Sequence, residues 1–178
     1  MGLIIEYRVA ARPDRRIVEV YDADAFTTDS TAIEAASQHV VGNNGYHLYL
    51  HSLQPDIKVQ VVIRIWDTRQ EPPTGTEGTV PVTLESETGT LVVSQFTFGP
   101  AGEMTLPRPG VYEGHVSWTG RTATAAHYAE VLGQISNDWT TEQIGHAWEQ
   151  NPVPEQYTLD LWFVRAPEPI DDEDEDDL

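Results

Sequence analysis

The stretch "LPRPGVYEGHVSW", residues 106–118, decides how the rest of the chain is read. Pro107 and Pro109 restrict the backbone and Gly110 closes the turn, so the chain direction is fixed before Tyr112. Beyond the turn the side chains alternate with a period of two. Tyr112, Val116 and Trp118 share one face, and Glu113, His115 and Ser117 share the other. An apolar face backed by a polar one is the signature of a strand with one side on a core. The stretch speaks for architecture and carries no reactive chemistry of its own.

Other segments repeat the pattern. "IKVQVVIRIWD" (57–67) puts Ile57, Val59, Val61, Ile63 and Ile65 on one face. Lys58, Gln60, Val62, Arg64 and Trp66 lie on its other face. Residues 3–9 and 16–22 flank "AARPDR", a turn able to close a hairpin. "GYHLYLHSL" (45–53) alternates Tyr46, Leu48 and Leu50 with His47, Tyr49 and His51. "TVPVTLE" (79–85) and "GTLVVSQFTF" (89–98) form a further hairpin, with Pro81 marking an edge strand. A short strand at 103–106 and a final one in "QYTLDLWFVR" (156–165) complete the set. The fold predicted is mainly β: an antiparallel β-sandwich, jelly-roll or Greek-key-like, of about eight strands. In it the turn before Tyr112 resembles the tyrosine corner of Greek-key sandwiches, which makes Tyr112 a structural residue.

Two places break the strand pattern. "DSTAIEAASQHV" (29–40) predicts a short helix capped by Ser30 or Thr31. Before the last strand, residues 122–150 predict a helical insertion. Its first helix has Ala125, Tyr128, Ala129, Leu132 and Ile135 at helical spacing. Its second opens on a capping box of Thr140 and Gln143. The stripe of Tyr128, Leu132, Ile144 and Trp148 is expected to face the strands, with acids, His127 and His146 outward. A connection this long exceeds what joining neighbouring strands requires, which points to an interaction surface. The predicted organisation is one domain over 1–165, followed by a disordered acidic tail, "APEPIDDEDEDDL" (166–178).

Charge is the strongest compositional signal. The chain holds 29 acidic and 10 basic residues, a net −19. Eight of those acids lie in Glu168–Leu178, which leaves 21 against 10, or −11, for the rest. Such a field repels nucleic acid and anionic membranes and draws basic partners. Only Lys58 is lysine, against nine arginines, of which Arg8, Arg12, Arg15 and Arg16 form a basic cluster expected to pair with the chain's own acids.

Most reactive chemistry is excluded. The absence of cysteine removes disulfides, thiolate metal sites and a cysteine nucleophile. No phosphate-binding glycine loop, dinucleotide fingerprint, nucleophile elbow or zinc-protease helix is present. "YDADAF", with Asp22, Asp24 and Asp29, lacks the glycine and terminal glutamate of a calcium loop and reads as solvated. His47, His51 and His115 would meet only if their strands were neighbours, and no metal or cofactor is expected. The first ten residues show neither a signal peptide nor a myristoylation motif, which predicts a cytoplasmic protein.

The run of strands, "LPRPGVY" entering the penultimate strand, and the closing "YTLDLWF" resemble small bacterial β-sandwich proteins of the competence-protein-J-type nuclease inhibitor and toxin-immunity kind. The resemblance covers mostly residues 80–120 and 155–165 and carries over no catalytic residue. It implies a non-enzymatic inhibitor or immunity protein for a basic partner such as a nuclease or toxin. The acids expected to meet that partner are Glu130, Asp138, Glu142, Glu149, Asp22 and Asp24. Two other readings stand beside it. One is a carbohydrate- or small-ligand-binding sandwich using Trp66, Trp118 or Trp162. The other is a structural component of a phage or other particle.

Overall fold

A computed structural model of the chain describes residues 2–25 and 28–167. Ten strands alternate with three helices: β1 (Leu3–Ala11), β2 (Ile17–Asp22), α1 (Ser30–His39), β3 (Val41–Asn43), β4 (His47–His51), β5 (Val59–Trp66), β6 (Gly78–Ser86), β7 (Thr90–Ser94), β8 (Pro100–Thr105), β9 (Gly110–Thr119), α2 (Arg121–Gln134), α3 (Thr141–Glu149) and β10 (Gln156–Arg165). The fold is mainly β. One five-stranded sheet has the order β1-β5-β10-β9-β6, and the other β3-β4-β2-β7-β8.

The alternating faces explain how the sheets meet. Val61 and Ile63 of β5, Leu159 and Leu161 of β10, and Val116 of β9 point inward from the first sheet. They pack in one cluster with Val18, Val20, Leu48, Leu50, Leu91 and Val93 of the second. Burying a side chain of this kind stabilises by about 1.5–3 kcal/mol, so this cluster dominates the fold's energetics. A smaller cluster lies on the other side of the second sheet, where Ala32 and Ala36 of α1 cover Tyr49 and Ile17. Gly42 permits that approach, because a Cβ there would stand 1.8 Å from the Ala32 carbonyl oxygen.

The structure corrects several expectations. Neither expected hairpin forms, because β1 and β2 lie in different sheets, as do β6 and β7. The first sheet is not wholly antiparallel, since β10 runs parallel to β5 while pairing antiparallel with β9. A parallel pair needs only a connection long enough to cross over, and nearly ninety residues separate these two strands in the chain. Ten strands form rather than about eight; β3, three residues long, is too short to show a period. The cap of α1 is Asp29, not Ser30 or Thr31: its carboxylate accepts from the N–H groups of Thr31 and Ala32. A carboxylate at that position also meets the positive end of the helix. The proposed acidic tail falls, from Glu168 onward, outside the described residues.

Candidate functional site

The connection between β9 and β10 leaves the sheet at Gly120. Its φ is 71°, and a Cβ there would meet the Pro154 carbonyl oxygen at 2.0 Å, so glycine joins the two ends of the insertion closely. Thr124 Oγ1 then donates to the Val153 carbonyl (3.0 Å), and Asn151 Nδ2 donates to Thr124 Oγ1 (2.8 Å). The capping box of α3 is formed: Gln143 N–H donates to Thr140 Oγ1 (3.1 Å), and Thr140 N–H to Gln143 Oε1 (2.8 Å). The two helices are tied by His127 Nε2 donating to the Ala147 carbonyl (2.8 Å) and by Tyr128 stacked on Trp148 at 5.0 Å. Tyr128 also donates its hydroxyl to Asp56 (2.8 Å), whose other oxygen accepts from Arg12 (2.9 Å). One member of the N-terminal basic cluster thus helps to anchor the insertion.

The predicted stripe is rotated on α2. Thr124 and Val131 are its buried residues, Leu132 is 49% exposed, and His127 turns toward α3 rather than outward. Thr124 holds a buried place because its hydroxyl has partners, which a count of apolar residues cannot reveal. Glu130, Asp138, Glu142 and Glu149 are all exposed, and His146 is exposed beside them. None of the four acids belongs to an ion pair among the described residues.

The other two acids separate. Asp24 is exposed. Asp22 is buried, and its carboxylate accepts from Thr88 Oγ1 (2.7 Å), Thr88 N–H (3.1 Å), Asp24 N–H (3.0 Å) and the Ser86 hydroxyl. Burial raises its pKa, yet the hydrogen bonds from Ser86, Asp24 and Thr88 outweigh burial and hold it below the usual aspartate value. Asp22 clips the β6–β7 turn to β2, so it leaves the expected contact surface.

The three histidines do not converge. His47 and His51 belong to β4 in the second sheet, whereas His115 lies on β9 in the first. His47 is buried between Tyr21 and Tyr49, and burial lowers its pKa. No cluster of ligands able to hold a metal ion occurs among the described residues.

The outer face of the first sheet carries Trp66 and Trp162, two of the tryptophans the sequence offered as stacking platforms, together with groups it did not single out. Register places Asp160 opposite Arg64 on one side and His115 on the other, with Trp162 opposite Trp66 and Glu113. Asp160 accepts from Trp66 Nε1 (2.8 Å), Arg64 donates to Glu6 (2.9 Å), and the His115 ring stands edge-on to Trp162 at 5.6 Å. The β5–β6 connection borders this face, where Arg69, Gln70 and Pro72 help to line a groove of about 610 Å³. Trp118 is in the core instead, against Gly78, so it offers no stacking surface. His115 and Trp162 meet across the neighbouring strands β9 and β10, far apart in the chain, so no local signal marks the pair.

Two solved structures share this arrangement of strands and helices. ComJ from Bacillus subtilis, an inhibitor of the DNA degrading activity of NucA, aligns with a TM-score of 0.56 over 92% of this chain and 98% of its own, at 10% identity. The chain shares the fold of ComJ. The protein of crocagin biosynthetic gene J aligns with a TM-score of 0.51 over 93% of this chain and 100% of its own, at 14% identity. At these identities the likeness is one of fold. The resemblance to competence-protein-J-type proteins read from the sequence therefore holds at that level. No protein-family model matches the chain, and no curated protein matches it by sequence. Among the described residues no helix is long and apolar enough to cross a membrane.

Proposed function

We propose that this chain is a non-enzymatic acidic binding protein that inhibits a basic protein, such as a nuclease or toxin, by docking the α2–α3 insertion on it. The observation that carries the reading is the exposure of Glu130, Asp138, Glu142 and Glu149 on one short insertion, without ion-pair partners among the described residues. Four solvated carboxylates in a chain of net −19 steer a cationic partner and suppress anionic ones. Asp24 and the eight acids of Glu168–Leu178 add to the same field. The shared fold supports the reading, because ComJ is itself an inhibitor of a nuclease's activity. In this reading the two sheets form one β-sandwich domain that serves as a rigid platform for the insertion, and no step of chemistry is assigned to it.

The test is capture at low salt followed by stepwise salt elution, with the activity of the captured protein assayed against added chain. Recovery of a basic protein whose activity falls on stoichiometric addition is the expected result. A captured protein whose activity is untouched, or no capture at low salt, overturns the proposal.

A further inference from the structure

His115 is only 6% exposed, and its Nε2 has no hydrogen-bond partner. A buried polar atom left unpaired weighs against the fold unless something else pairs with it. His115 lines the groove of about 610 Å³ on the outer face of the first sheet, a volume typical of small-molecule sites. Trp162 lines it too, its ring 5.6 Å from the imidazole. Glu113 and Arg69 bring one charge of each sign, and both are exposed.

These features select the ligand by its chemistry. An anion meets Glu113 and a chain of net −19, while a cation meets Arg69. A neutral ligand can hydrogen-bond to both. A hydroxyl both donates and accepts, so it pairs with Nε2 in either tautomer of a neutral imidazole. The indole supplies apolar area for the C–H surface of a sugar ring.

We propose that the groove beside His115 and Trp162 binds a neutral saccharide of one or two rings, with a sugar hydroxyl on His115 Nε2. This site is separate from the insertion, so it stands or falls independently of the inhibitor reading.

The test titrates the full chain with glucose, N-acetylglucosamine, maltose and cellobiose while following the ¹⁵N resonances of the histidine rings. At least one probe is expected to shift His115 Nε2 at millimolar concentration. His47 Nε2, equally buried and unpartnered, should stay unmoved. His115→Phe keeps a ring and removes the nitrogen, and it is expected to weaken binding by at least about tenfold. Should that variant fail to fold, Arg69→Ala and Gln70→Ala change the border of the groove only and are expected to weaken binding several-fold. The proposal is overturned if none of these sugars moves the His115 resonance, if inorganic phosphate or arginine amide moves it more strongly, or if His115→Phe or both border variants bind as the parent does.

Discussion

The hydroxyl of Tyr112 donates to the carbonyl of Arg108 at 2.6 Å, four residues upstream across the Pro109-Gly110 turn. The Tyr112 ring also meets Phe163 edge-on at 5.7 Å, and the Arg108 guanidinium lies over that same Phe163 ring at 3.4 Å. Tyr112→Phe keeps both ring contacts and removes one hydrogen bond, so it is expected to lower stability by about 1 kcal/mol. Denaturant unfolding measures this directly. Unchanged stability with altered partner binding would move Tyr112 from the scaffold to the contact surface.

Asp22 and Asp24 are two residues apart and should behave oppositely. Asp22→Ala leaves the buried Ser86 hydroxyl unpaired and removes the acceptor that holds Thr88, and is expected to cost about 2–4 kcal/mol. Asp24→Ala, at an exposed site, should stay within about 0.5 kcal/mol of the parent. The Asp22 contribution has a pH signature. Its folded pKa is depressed, so the stability is present above the ordinary value of 3.8 and fades as pH falls through the lower folded value. Parent and variant should therefore converge in acid, and parallel curves would contradict the assignment.

Charge reversal on the insertion tests the docking surface. Glu130→Lys, Asp138→Lys and Glu142→Lys together are expected to slow association with a basic partner by about tenfold at low salt and to flatten its salt dependence. The thermal midpoint should hardly move, because all three side chains are exposed. Stopped-flow association at several salt concentrations reads both effects. An on-rate equal to the parent's at low salt would make the insertion a structural cover.

Glu155 sits just ahead of β10, buried, where its carboxylate accepts from Ser52 Oγ (3.0 Å) and from the Tyr157 hydroxyl. Burial pushes its pKa up despite those hydrogen bonds, so the folded state holds the proton more tightly than the unfolded chain. Its stabilising contribution is complete below the ordinary glutamate value of 4.5 and is lost as pH rises through the raised value. Glu155→Gln, uncharged throughout, should lose less stability than the parent over the window in which pH rises above 4.5 and through the raised value. Thermal midpoints across that window give the comparison, and identical slopes would refute it.

What the sequence by itself determined was local. Alternation in "VQVVIRIW" and "YTLDLWF" identified β5 and β10 and their inward faces, because a strand's period is a property of its own backbone. The Pro-x-Pro-Gly turn located Tyr112, and the capping box of Thr140 and Gln143 marked the start of α3, since both are bonds between near neighbours. The composition likewise fixed the charge. Only the tertiary structure decided which strands lie side by side. It set β10 parallel to β5, sent His47 and His51 to a different sheet from His115, and brought Asp160 to Trp66 across 94 positions in the chain. It also buried Asp22 while leaving Asp24 in solvent, a difference that rests on donors from Ser86 and Thr88, more than sixty residues away. Each of these depends on pairing between distant segments, where the free energy comes from packing and hydrogen bonds that no local pattern encodes.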